Sequence, residues 1–153
     1  MPKPPRWIWT LLSLLVLPLM MALLVLRQPT VAELVAQSRT LAPAGEVDAA
    51  IRAMDAALAA EPLNPQLYVE RGQRILLLFE WDRARADFDR ALELDAEYAD
   101  GYFYRGVLFA SVPDASARPD AIADFEAYLR IAPEGEHADE ARRFITQLAP
   151  PTE

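Results

Sequence analysis

A chain of 153 residues, 53% of them hydrophobic, is long enough for about one packed domain. Its net charge of −8 is unevenly placed: all 23 acidic residues lie from Glu33 onward, against twelve arginines from Arg39 onward, so this part carries −11. That balance excludes a nucleic-acid surface and a polybasic lipid patch, and the absence of cysteine excludes disulfides and thiolate chemistry.

The chain opens with a short flank, 1–6, carrying Lys3 and Arg6. From Trp7 to Leu26 there is no charge, and the polar side chains are Thr10 and Ser13. Twenty residues at about 1.5 Å each give roughly 30 Å, the thickness of a bilayer's hydrocarbon core, so a transmembrane helix is expected over 7–26. Trp7 and Trp9 suit the headgroup level, Pro18 would kink the span and Leu26 would end it. The alternative is a cleaved signal peptide. Against it, the apolar run is longer than a signal's core and is followed by Arg27, Gln28 and Pro29, while the best small-residue site, Thr30 to Ala32, falls at the start of a helix. Lys3, Arg6 and the terminal amine outweigh Arg27 and Arg39, which places the N-terminus in the cytoplasm and the rest on the periplasmic or extracytoplasmic side. The linker, 27–30, is too short for a flexible tether, so the following domain is expected close against the membrane surface.

Beyond the linker, helical signals recur at a fixed distance. Thr30 with Glu33 forms a capping box, and Asn64 before Pro65 places an N-cap ahead of a first-turn proline. Ala84, Phe88 and Ala91 share one helix face, with small residues flanking a ring so that a second helix can approach closely. Ala50, Met54, Ala57 and Pro62 precede Ala84, Phe88, Ala91 and Ala96 by 34 residues, and Tyr68 and Gly72 recur 34 on as Tyr102 and Gly106. A fixed period of that length marks a helical repeat array.

At these residues the sequence resembles the tetratricopeptide repeat (TPR) family, whose units carry an aromatic and a glycine in a first helix and alanine, an aromatic, alanine and proline in a second. The resemblance implies three units. The first, 31–64, has Leu34 and Ser38 in place of the aromatic and glycine. The second, 65–98, matches best, with Ala96 replacing the closing proline. The third, 99–135, has Tyr102, Gly106, Ala121, Phe125, Tyr128 and Pro133, its halves three residues further apart than the period allows. The extra length falls in Val112 to Pro119, read as a longer turn. A further helix within 136–149, from His137 to Leu148, would cap the last apolar face, and 150–153 is a tail. The expected fold is all-α: an N-terminal transmembrane helix, a three-repeat helical-hairpin solenoid and a capping helix.

The resemblance further implies a concave groove, lined by the first helix of each unit, that binds other proteins. By position its lining would be Val35, Val69 and Phe103, with Arg39, Gln73 and Val107 one turn on and Leu76 beyond. The best-known subgroup grips a terminal carboxylate with basic residues, and that clamp is absent here, so an apolar partner such as an amphipathic helix is expected. Phe103→Glu should then abolish binding and spare the fold, unless the terminal helix itself covers these residues. The run Ile75 to Phe79, ILLLF, is apolar all round one helical turn; it is either buried on both faces or meets a partner or lipid, and Trp81 fills the corner beyond it.

Chemistry-bearing patterns are scarce. One histidine, His137, and no cysteine give little basis for a nucleophile and base or for a transition-metal site. Asp87 with Asp89, and Asp139 with Glu140, diverge on a helix and read as solvated faces, and the arginine and acid alternation over Asp82 to Asp89 reads as a salt-bridged outer surface of little energetic weight. No phosphate-binding glycine loop or calcium-loop spacing is present. The expectation is a non-catalytic protein–protein interaction scaffold at a membrane, with no cofactor and no metal. It would serve as accessory subunit or assembly factor of a multi-subunit complex, with respiratory or photosynthetic assemblies as hosts by family habit. A secreted or periplasmic adaptor released by signal cleavage is the alternative, and an enzyme component completed by a partner a remote third.

Overall fold

The computed structural model describes residue 16 and residues 27–149. The flank over 1–6, the anchor residues Trp7, Trp9, Pro18 and Leu26, and the tail over 150–153 lie outside the described residues. Among the described residues no helix is long and apolar enough to cross a membrane. The chain divides into two compact units, Met1–Thr30 and Val31–Glu153, and the second holds the helices described below.

Seven α-helices follow one another in this unit: α1 Val31–Leu41, α2 Val47–Ala60, α3 Pro65–Leu76, α4 Trp81–Leu94, α5 Ala99–Ser111, α6 Arg118–Ile131 and α7 Ala138–Leu148. Helices pack as consecutive pairs, α1 on α2, α3 on α4 and α5 on α6, with α2 also meeting α3, α4 meeting α5 and α7 meeting α6. The pairing follows from residue size. Phe88 of α4 is fully buried between Ala84 and Ala91, and its ring lies where a Cβ on Gly72 of α3 would be, 2.5 Å from Cε1. One repeat later, Phe125 of α6 does the same against Gly106 of α5, 3.0 Å from the position a Cβ would take, beside a fully buried Ala121. In α2, Ala50, Met54 and Ala57 are fully buried. Large and small residues thus interlock across each pair, and burial of the rings contributes about 1.5 to 3 kcal/mol each.

The corners repeat as well. The hydroxyl of Tyr68 donates to the Pro62 carbonyl at 3.0 Å, and that of Tyr102 donates to the Ala96 carbonyl at 3.2 Å, tying each first helix to the turn before it. Asn64 caps α3, its side-chain oxygen accepting from the Gln66 backbone N–H at 3.1 Å, with Pro65 in the first turn where a missing N–H costs nothing.

Polar contacts also follow the period. Arg71 on α3 forms a two-pronged ion pair with Asp87 on α4, Nε at 2.9 Å and Nη2 at 2.7 Å, and reaches Asp55 on α2 at 2.7 Å. Arg105, 34 residues on, repeats this with Asp124 at 2.8 Å through both Nε and Nη2, and with Asp89 at 2.6 Å. Each arginine thus links three consecutive helices. The hydrogen bonds that the two guanidinium groups donate to Asp87 and Asp124 raise their pKa values, more than burial lowers them. Asp124 moves up, because its burial outweighs the help of Arg105. We read the pair as orienting the helices, since desolvation of the carboxylate offsets much of the attraction. This corrects the reading of Asp87 as part of a solvated outer face: it is buried, and it faces Arg71 across the hairpin.

Two turns differ from expectation. The ILLLF run is not one helical turn, because α3 ends at Leu76 and Leu77 is its C-cap. Phe79 then takes a left-handed conformation, φ 58°, which reverses the chain into α4 where glycine is the usual residue. Between α5 and α6, a short 3₁₀ turn at Ala115–Ala117 occupies part of the longer connection, and Pro119 belongs to the first turn of α6 instead of the loop. The Asp114 carboxylate accepts from the Ser116 backbone N–H and hydroxyl at 2.9 and 2.7 Å, bonds that hold its pKa down.

Candidate functional site

The first helices α1, α3 and α5 contribute to one continuous surface with two parts. The larger is a groove of about 930 Å³ built from the C-terminal ends of those helices and the turns after them. Its apolar wall is Leu76, Leu77, Phe79, Trp81 and Val107. Leu77 and Phe79 are 54% and 72% exposed, unusual for side chains of that size, and the Phe79 ring meets Trp81 edge-on at 5.6 Å. The left-handed backbone at Phe79 costs about 1 to 2 kcal/mol and holds a large ring in water. Beyond the Trp81 edge the ring is left in water, so an exposed apolar patch persists where a folded chain would normally bury one.

The smaller part is a polar hollow of about 200 Å³ next to it, lined in part by Glu70, Tyr98, Asp100, Tyr104, Glu136 and His137. Arg39, Gln73, Arg74 and Tyr104 line both. Glu70 is the hub here: Arg39 grips it with Nη2 at 2.6 Å and Nε at 3.2 Å, and Arg74 Nη2 lies 3.5 Å away. The bond to Glu70 raises the Arg39 pKa, whereas Arg74, nine-tenths buried, is lowered by desolvation more than Glu70 raises it. Arg74 Nη1 is held by the Glu70 carbonyl and by Gln73, while its Nε has no partner.

The residues expected to line the groove divide. Arg39, Gln73, Leu76 and Val107 do line it. Val35 sits apart, in a separate hollow with Val31, Ala36 and Leu67. Val69 borders the polar hollow but, like Phe103, is 2% exposed and offers a partner almost nothing. Phe103 is corrected most clearly: the His137 ring stacks on it at 4.1 Å and 9°, and Tyr104, Phe125 and Tyr128 surround it. The cause is the start of α7, pinned where the His137 backbone N–H donates to the Tyr128 hydroxyl at 2.9 Å and where Phe144 stacks on Phe125 at 4.8 Å. The terminal helix therefore covers this part of the concave face. Phe103→Glu would disrupt the fold instead of sparing it.

The sequence marks the run holding Leu77 and Phe79 as a possible partner surface but does not place it in the groove, because nothing in it signals the helix end at Leu76. Nor does it mark Tyr104, whose hydroxyl lies 3.4 Å from His137 Nε2. Among the described residues no group of three histidine, cysteine or acidic side chains is placed to hold a metal ion.

The sequence matches no known family pattern and no curated protein. Solved structures with the same fold are numerous. The first TPR of Spaghetti (RPAP3), bound to the HSP90 peptide SRMEEVD, is 24% identical with a TM-score of 0.68, over 79% of this chain and 97% of its own. The TPR2B domain of yeast Sti1, in complex with an Hsp70 peptide, is 16% identical with a TM-score of 0.69, over 77% and 94%. The Arabidopsis OM64 TPR domain is 19% identical with a TM-score of 0.67, over 78% and 97%. The described helices accordingly form an all-α solenoid with the fold of a TPR domain.

Proposed function

We propose that this chain is a non-catalytic interaction module of the TPR family, held at a membrane through residues 7–26. It binds a helix of a neighbouring membrane protein as an accessory subunit or assembly factor of a multi-subunit complex. The observation that carries the reading is the groove beside α3, whose wall of Leu76, Leu77, Phe79, Trp81 and Val107 stays open while the start of α7 closes the face over Phe103. Structures of the same fold hold peptides, among them the RPAP3 domain with its HSP90 peptide. The anchoring rests on the uncharged run from Trp7 to Leu26, and the repeat domain lies on the periplasmic or extracytoplasmic side.

The test is extraction of the full-length chain from native membranes in mild detergent, followed by native mass spectrometry, for the wild type and for a Leu77→Gln, Phe79→Gly variant. Glycine suits the left-handed backbone, so this variant should keep or slightly raise the melting temperature, by about 0.5 to 1 kcal/mol of stability. The expected result is a stoichiometric partner with the wild type and at least tenfold less with the variant, on a chain whose mass still includes Lys3. Equal recovery of the partner by both forms would overturn the groove, and a mature chain starting near Glu33 would overturn the anchor.

A further inference from the structure

The charge around the groove identifies what kind of segment it takes, an argument that rests on the groove reading above. Its cations are already committed: Arg39 and Arg74 both face Glu70. Its other carboxylates are not. Asp100, in the first turn of α5, and Glu136, just before α7, line the polar hollow, and neither has an ion-pair partner among the described residues. Two phenol rings stand beside them, Tyr98 and Tyr104. Burial, and then Asp100, push the Tyr98 hydroxyl up to about 12. Tyr104 is raised likewise by burial first, then by Asp100, Glu136 and Glu140. Unpaired carboxylates beside aromatic rings form a surface that receives an ammonium or guanidinium group, through charge and through the ring faces together.

We infer that the occupant is a cationic amphipathic helix of a partner protein, with apolar side chains on Leu77, Phe79 and Val107 and a lysine or arginine against Asp100 and Glu136. Arg39, Gln73, Arg74 and Tyr104 belong to both the apolar groove and the hollow, so one segment can lie across the two. The excess of acid on the chain from Glu33 onward, net −11, draws such a segment in and repels a second copy of the same surface. An acidic tail like SRMEEVD would meet Asp100 and Glu136 with like charge, and the arginines it would need are held by Glu70.

The test pans a display library of random peptides of about 15 residues, roughly four helical turns, on the full-length chain in phosphatidylcholine nanodiscs, with empty nanodiscs subtracted. Enriched peptides should carry an apolar stripe and net positive charge. They should bind about tenfold more weakly to an Asp100→Asn, Glu136→Gln variant of unchanged melting temperature, and more weakly at high salt. Enrichment of acidic or neutral peptides, unmoved by that variant but lost with Leu77→Gln, Phe79→Gly, would overturn the cationic occupant and leave the groove standing. Binding indifferent to Leu77→Gln, Phe79→Gly would overturn the groove itself. Peptides resembling the chain's own start, with its Lys3, Arg6, Trp7 and Trp9, would replace the partner by the chain's own segment, and failure to enrich any peptide would overturn the inference.

Discussion

Arg71→Ala is expected to lower stability by about 3 kcal/mol. The reason is what it leaves behind. The Asp87 side chain is 8% exposed, and without the paired N–H donors its carboxylate is left unpartnered in a pocket that water reaches poorly. The loss sits at the low end for a broken buried pair because the Arg71 side chain is itself 25% exposed, so solvent can follow it in. A shift in melting temperature of about 10 °C should result. Asp55→Ala removes the third member, which is 51% exposed, and should cost no more than about 0.5 kcal/mol. Replacing Arg71 and Asp87 together by leucine should recover most of the stability, since both charges then leave the interior. Thermal and denaturant unfolding of the four forms measure this, and a loss below about 1 kcal/mol in Arg71→Ala would mean that the pair does not orient α3 against α4.

Phe103→Ala is expected to cost about 3 to 5 kcal/mol, and Phe103→Glu to prevent the third hairpin and α7 from packing at all. Phe103 is where three elements meet: its own α5, Phe125 and Tyr128 from α6, and the His137 ring at the start of α7. Truncation leaves a cavity that four aromatic neighbours cannot fill without moving, and a carboxylate there would sit among apolar and aromatic side chains. Phe103→Leu, which restores most of the volume, should lose far less. Circular dichroism and unfolding of the full-length variants decide the matter. A Phe103→Glu chain that melts like the wild type would show that the α7 cover is not formed in solution, and would return Phe103 to the groove.

The register of the array was readable from the sequence because it is written in size. Glycine at 72 and 106, an aromatic at 88 and 125, and alanines at 84, 91 and 121 leave one way for each hairpin to close. The arginine ladder had the same periodicity, Arg71 to Arg105 and Asp55 to Asp89, yet charges in alternating runs look solvated until a partner helix is placed opposite them. The groove was only half legible. Arg39, Gln73, Leu76 and Val107 follow from position within each first helix, but whether Phe103 faces a partner depends on α7, thirty-odd residues away, folding back over it. Leu77 and Phe79 were hidden for a different reason. A helix end is usually marked by glycine, and here a phenylalanine occupies the left-handed position, so the apolar run gave no sign that α3 had stopped.

A partner meets the solenoid at the groove beside α3 and not at the outer helices. The direct measurement places a photo-crosslinking residue, one at a time, at Leu77, Val107 and Arg90 of the full-length chain in native membranes. Leu77 and Val107 line the groove, whereas Arg90, on α4, is exposed and outside it. The prediction is a single adduct of the same mass from Leu77 and Val107 and none from Arg90. Adducts from Arg90 with none from the groove positions would contradict it and move the interface to the opposite helices.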